Sequence, residues 1–219
     1  MNIELPKEFS TKNARKGQRA YIEKGILKIT RQVDFSKLMV EITYELKGKN
    51  KCFYCGKEVT EEEITIDHMF PIDFGGPTIT DNLVPACEEC NGEKGNMTVQ
   101  QYTTFLEAKS IGIEKDYQKS LNKYQERIRR KGLYQIPNEW ITNKEITDII
   151  NIIMLTDDYK KKRYRSLEKY YKEYGIIKKP IIIDKNSFLL DGFLTLMVAK
   201  NYNIHSIPVI QLDNVEIIL

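Results

Sequence analysis

The sequence predicts an α+β chain: a short-stranded, cysteine-bearing core set among helices, followed by a small α/β unit. Three observations carry this. All four cysteines fall within residues 49–98, together with five glycines and three prolines, a composition of turns and short strands. Apolar residues recur at helical spacing on both sides of that stretch. Beyond residue 175 short β-rich runs alternate with one helical segment. A length of 219 residues fits one large domain or two small ones, and the expected division is 1–135, with its core at 52–98, and 144–219. Hydrophobic residues make up 41% and charged residues 30%, enough for a packed core and against global disorder. No apolar run approaches the ~18 residues of a membrane span. The segment from Met1 to Lys16 is polar and basic, without the apolar stretch of a signal peptide. A cytoplasmic protein with reduced thiols is therefore expected.

Taken in order, 10–24 reads as a basic helix between Ser10 and Gly25. Residues 35–47 form a stronger one: Asp34 can cap it, Phe35, Leu38, Met39, Ile42 and Leu46 keep helical spacing, and Gly48 stops it. Helices are expected again at 99–111, with Thr98 as cap, and at 114–131, where Tyr117, Leu121, Tyr124 and Ile128 make one core-facing stripe. Residues 132–143 read as a linker, and 144–154 and 157–174 as helices. The tail then predicts strands at Ile181–Asp184 and Phe188–Leu190 around a turn, a helix near 193–202, and a strand at Ile207–Leu212.

The cysteines form two C-x2-C pairs, Cys52/Cys55 and Cys87/Cys90. A two-residue turn brings each pair of thiolates together, and two such knuckles supply four sulfurs for tetrahedral zinc, at Zn–S distances of about 2.3 Å. With no cysteine left over, structural zinc is expected; iron in a four-sulfur site is the alternative. Between the knuckles lie Ile64-Thr-Ile-Asp67-His68-Met-Phe-Pro71, Gly75-Gly76-Pro77 and Asp81-Asn82-Leu-Val-Pro85, and Asn91-Gly-Glu-Lys94 follows the second knuckle. A strand at Glu63–Ile66, a glycine-rich turn, a second strand near Leu83–Pro85 and a helix opening near Cys87 make a β-β-α unit around a metal.

The order C-x2-C, D-H-x2-P, G-G, N-L-V-P-x-C-x2-C-N-x2-K resembles the zinc-bearing form of the HNH endonuclease family, a treble-clef-like ββα-metal unit. Asn91 stands where the family often has a second histidine. An amide oxygen there suits a hard cation such as Mg²⁺ or Mn²⁺. The resemblance implies metal-dependent phosphodiester hydrolysis. His68 would be the general base, with an ordinary pKa of about 6.5 that leaves it neutral at physiological pH. Asp67 and Asn91 would hold one divalent cation, and Asn82 would tie the loop that orients His68. Lys94, one turn beyond Asn91, is a candidate phosphate contact.

The tail carries a second resemblance. Leu167, Tyr174-Gly175, Pro180 to Asp184, Leu189-Leu190-Asp191-Gly192, Ala199 to Ile204 and Ile207-Pro208-Val209-Ile210 are similar to a ParB-like N-terminal domain. Where that family carries a polar pair for nucleotide phosphate, this chain has Leu194 and Thr195. The resemblance therefore points to partner binding or DNA docking and not to a second active site.

Net charge is +5 over 1–50, −7 over 51–98, +5 over 99–175 and zero over 176–219. An acidic core between basic flanks suits a metal site that must meet a polyanion. The flanks offer Lys12, Arg15, Lys16 and Arg19, and the cluster Arg127, Arg129, Arg130 and Lys131, as DNA contacts; the same cluster also suits a helix C-terminus. The expected function is a DNA endonuclease. The alternative is a zinc-organised DNA-binding or adaptor protein with an inactive core.

Overall fold

The computed structural model describes residues 5, 7, 9–10, 19–30, 33–151 and 159–218, with backbone alone for 159–161. It opens with a hairpin. Strands β1 (Ala20–Glu23) and β2 (Ile26–Ile29) pair antiparallel, with Ala20 opposite Ile29. The helix expected at 10–24 is thus corrected: its second half is a strand, and residues 11–18 lie outside the described residues. Lys24 and Gly25 both have positive φ, 52° and 76°, as the favoured two-residue hairpin loops require. Ala20, Ile22, Leu27 and Ile29 alternate into the core, a period of two that the intervening charges mask.

Helix α1 (Phe35–Lys47) keeps its expected limits. Asp34 accepts a hydrogen bond from the Lys37 N–H at 3.2 Å, and Gly48 ends the helix at φ 79°. Next, β3 (Ile64–His68) and β4 (Leu83–Cys87) pair antiparallel, and α2 (Glu88–Lys94) follows at once. Helix α3 (Val99–Ser110) is closed by a capping box between Thr98 and Gln101. Along α4 (Glu114–Lys131) Leu121 and Ile128 are buried, whereas Tyr124 is an exposed member of the expected stripe.

Residues 132–143 are less of a linker than expected, because β5 (Thr142–Glu145) ends this stretch. The helix expected at 144–154 is also corrected: after β5 comes a short 3-10 turn over Ile146–Asp148, and 152–154 lie outside the described residues. β5 is a polar edge strand held by backbone pairing, so side-chain pattern carries little trace of it. After α5 (Tyr159–Tyr174) come β6 (Ile181–Asp184), β7 (Leu189–Asp191), α6 (Phe193–Asn201), β8 (Ser206–Leu212) and β9 (Val215–Ile217). One sheet has the order β5-β8-β6-β7, with β6 and β8 parallel.

β9, which no pattern announced, leaves that sheet and pairs in parallel with β2. The buried Asp184 carboxylate fixes this crossing, accepting from the N–H groups of Asn186 and Phe188 at 2.8 Å and of Ile217 at 3.0 Å. One hydrophobic core accordingly contains Leu27, Ile42, Ile79 and Leu83 together with Ile182, Leu190, Ile210 and Val215. The two expected units, 1–135 and 144–219, share this core and the β1-β2-β9 sheet. No helix among the described residues is long and apolar enough to cross a membrane.

Candidate active site

The two knuckles converge. In the first, the Cys52 carbonyl accepts from the Gly56 N–H at 3.0 Å, and Gly56, at φ 71°, turns the chain back. In the second, Cys87 caps α2, so Cys90 lies one turn into the helix. The four sulfur atoms lie within 4.8 Å of one another, with Cys55 and Cys87 at 4.0 Å. Tetrahedral bonds of about 2.3 Å place sulfurs just under 4 Å apart, so the cluster fits one zinc ion. Burial opposes ionisation of Cys52, but the N–H groups of Cys55, Cys87 and Tyr54 bring its pKa down to about 7. Burial pushes Cys90 upward; a bound cation would reverse that.

β3 carries the next layer. Alternation turns Asp67 and His68 to opposite sides. Asp67, 6% exposed, faces the first knuckle and α2. Its Oδ2 accepts both from the Tyr54 hydroxyl and from Lys94 Nζ, the latter at 2.8 Å. Lys94 also donates to the His68 carbonyl at 2.8 Å. At 1% exposure it is a buried counter-ion, not the surface phosphate contact expected of it. The register of α2 against β3 turns it inward. Burial lowers the Lys94 pKa, against the raising effect of Asp67, and burial together with Asp67 raises that of Tyr54.

Asn91, one turn before Lys94, donates from Nδ2 to Thr65 Oγ1 at 2.9 Å, and Thr65 in turn donates to the Ala86 carbonyl at 2.9 Å. Because the Thr65 proton is already used, its oxygen only accepts. That fixes the Asn91 amide with Oδ1 turned away. No described residue bonds Asp67 Oδ1 or Asn91 Oδ1.

On the other side of β3, His68 Nε2 lies 3.0 Å from Thr78 Oγ1. Burial drives the His68 pKa down to about 4; Asp67 pulls upward, while Lys94 and Lys179 add to the lowering. Asn82 is fully buried. It accepts from the Phe70 N–H at 2.8 Å and donates to the carbonyls of Phe70 at 3.0 Å and Pro77 at 2.9 Å. Asn82 therefore ties both ends of the loop, while Thr78 holds the ring itself. Gly76 completes the loop, since a Cβ there would stand 1.7 Å from the Phe70 carbonyl oxygen.

Residues 52–106 match the HNH endonuclease family model. That match marks the HNH unit as nuclease-like and DNA-related. No curated protein matches the chain. Two solved structures of a pNOB8-like ParB N-domain are similar over 32% of this chain. One has 20% identity, a TM-score of 0.28 and 28% of its own length covered; the other has 22%, 0.25 and 26%. The chain thus spans little more than a quarter of either.

Lys12, Arg15 and Lys16 lie outside the described residues, and Arg19 is exposed at a bend before β1. Arg129 pairs with Glu126 at 3.4 Å and lies 4.9 Å from the centre of the Phe74 ring; Arg130 shares Glu126 at 3.2 Å, and Arg127 lies over Tyr124. Tyr54, Thr65 and Thr78 escaped sequence reasoning. A tyrosine inside the first knuckle and a threonine two residues before Asp67 were the available signals; Thr78 had none beyond its place after Gly-Gly-Pro.

Proposed function

We propose that the chain is a metal-dependent DNA endonuclease that hydrolyses phosphodiester bonds. The observation that carries this reading is the pair of oxygens left open, Asp67 Oδ1 and Asn91 Oδ1, with His68, the next residue along β3, kept neutral by burial. Asp67 and Asn91 would hold a divalent cation, Mg²⁺ or Mn²⁺, and that cation would neutralise charge on the scissile phosphate and the leaving oxygen. Tyr54 and Lys94 occupy the second Asp67 oxygen and fix the direction of the first. A zinc ion held by Cys52, Cys55, Cys87 and Cys90 would keep Tyr54, between the first two, in place.

His68 acts as general base. In the tautomer that this role requires, Nε2–H donates to Thr78 Oγ1, 3.0 Å away, and the Nδ1 lone pair is free; no described residue bonds Nδ1. Nδ1 takes a proton from a water whose oxygen attacks phosphorus, the bond to the 3′-oxygen breaks, and that oxygen takes a proton from solvent. Asn82 acts only through the loop. The test is purified protein with Mg²⁺ or Mn²⁺ on plasmid, linear and single-stranded DNA: cleavage that EDTA stops supports the reading, and none under any condition overturns it.

Two expectations follow from the His68 geometry. Thr78→Val should cut cleavage about tenfold or more, since the wrong tautomer then competes at Nδ1, while Thr78→Ser should restore most of it. Rates for both variants at equal zinc content decide this. The second concerns pH. His68 must be neutral to act, and its folded pKa is about 4. Single-turnover cleavage should therefore hold through pH 6.5 and fall only toward pH 4. The stability sign follows the same shift: the unfolded chain protonates near 6.5 and the folded one near 4, so stability is lost as pH falls through that window. An acid limb centred at 6.5 would remove the shift from the mechanism.

A further inference from the structure

We propose that the outward face of α5 is a docking surface for the phosphate backbone of duplex DNA, leading into a basic cleft beside the nuclease loop. The choice of DNA as its occupant rests on the nuclease reading above.

The 51–98 stretch carries net −7, and its Lys94 is buried and committed to Asp67 and the His68 carbonyl. A polyanion must therefore be held from outside it. α5 has the means: its sequence sets seven lysines and arginines against two glutamates, net +5. Two sides of the helix are used differently. Tyr164, Glu168 and Tyr171, at i, i+4 and i+7, face the end of α6. The Tyr164 hydroxyl accepts from Asn201 Nδ2 at 2.7 Å, Glu168 accepts from the Tyr202 hydroxyl at 3.0 Å, and the Tyr171 and Tyr202 rings lie 4.9 Å apart. Lys162, Arg165, Ser166 and Lys169 share the other side at helical spacing, and all four are exposed. Those three cations have no ion pair among the described residues, whereas Lys172 is tied to Glu168 at 3.4 Å. An unpaired cation gives up no ion pair when it meets a phosphate.

This face runs into a cleft of about 230 Å³, which Ser166 and Lys169 line together with Tyr170, Glu173 and Tyr174. Arg129 from α4, Lys178 and Asp73 make its other wall. Asp73 belongs to the loop between His68 and Thr78, and Arg129 lies 4.9 Å from the centre of the Phe74 ring in the same loop. Tyr170 joins the two walls: its hydroxyl donates to the Arg129 carbonyl at 3.4 Å, and Lys178 Nζ lies 5.8 Å from the centre of its ring.

Acids offset part of the charge at the cleft. Asp73 holds Lys178 at 3.2 Å and Asn96 at 3.0 Å, Glu126 is shared by Arg129 and Arg130, and Glu173 lines the cleft itself. Arg129, Arg130, Lys169 and Lys178 outnumber these three acids, and the free cations of the α5 face add to the surplus. The side chains of the Lys178–Asp73 pair are 28% and 43% exposed, and pairs so open to water give up little on exchange for a phosphate oxygen. A backbone laid along α5 would thus meet Lys162, Arg165 and Lys169 and arrive at the loop between His68 and Thr78. Such contacts read charge and no base identity.

The experiment uses the full chain: wild type, Lys169→Ala, Lys172→Ala, a triple variant with Lys162, Arg165 and Lys169 changed to Ala, and a charge-conserving triple, Lys162→Arg with Arg165→Lys and Lys169→Arg. Duplex binding is measured against salt with Ca²⁺ to prevent cleavage, and plasmid cleavage with Mn²⁺. The log–log salt slope should become shallower by about 0.9 for Lys169→Ala and about 2.7 for the alanine triple. The loss should be alike on unrelated sequences, at unchanged zinc content and thermal unfolding. The charge-conserving triple should keep the wild-type slope. Lys172→Ala should keep it too, because that charge is held between Glu168 and the Tyr202 ring. An unchanged slope in the alanine triple would overturn the inference and make this face of α5 ordinary solvated surface. Equal losses for Lys169→Ala and Lys172→Ala would overturn it by reducing the effect to net charge. Tighter binding of duplex RNA than of duplex DNA at equal salt would overturn the assignment to DNA. A wild type that binds duplex DNA through these residues and cuts nothing would overturn the nuclease reading and leave the docking surface standing.

Discussion

Cys87→Ser should cost the chain its zinc and the fold of residues 52–98. Wild-type protein purified without chelator should contain about one zinc per chain by elemental analysis. Metal binding at a site of this kind supplies folding free energy on the order of 10–16 kcal/mol at neutral pH. Little else here replaces it: the local cluster is Cys52, Ala86 and Cys87, with Tyr54, Val59 and Cys90 packed around them. β3 and β4 pair over only five residues. Loss should spread toward Asp67, because Tyr54 sits between Cys52 and Cys55 and donates to it. α1 lies in the large shared core and should keep its helicity and amide-exchange protection. Exchange measured region by region separates the cases: equal protection at 52–98 with and without zinc would remove its structural role.

His68→Ala should abolish detectable cleavage, a loss of about 10²- to 10⁴-fold, while zinc content and DNA binding stay close to wild type. Among the described residues the imidazole's side-chain partner is Thr78; the ring holds no zinc ligand, and Asn82 ties the loop at Phe70 and Pro77 independently of it. Removing the ring therefore costs some packing without freeing the loop. Asp67→Ala is not equivalent: it leaves Lys94 buried without its counter-ion, so it tests stability as much as chemistry. Cleavage at the wild-type rate by His68→Ala would exclude a histidine base.

The amino-acid sequence by itself determined the parts of this molecule governed by short-range physics. Two C-x2-C turns announce four converging thiolates, because a knuckle is closed by its own residues. α1, α3 and α4 show in apolar period and caps, since Asp34 and Thr98 satisfy N–H groups only three residues away. The D-H, N and N positions were likewise readable as motif, at their spacing from the knuckles. What only tertiary structure decided was who meets whom across long separations. β9 pairs with β2 nearly the whole chain away, an arrangement without local signature because backbone groups are the same in every residue. Lys94 read as a candidate phosphate contact because its charge is visible in sequence and its burial is not; the docking of α2 on β3 turns it to Asp67. Asn91 orientation depends on the Thr65 proton going to Ala86, three residues linked through a strand pair and a helix. The contacts of Tyr134 with Ile177 and of Lys178 with Asp73 join segments far apart in the chain. Those contacts form when two separately patterned segments pack on one core, and periodicity along either segment carries no record of the other.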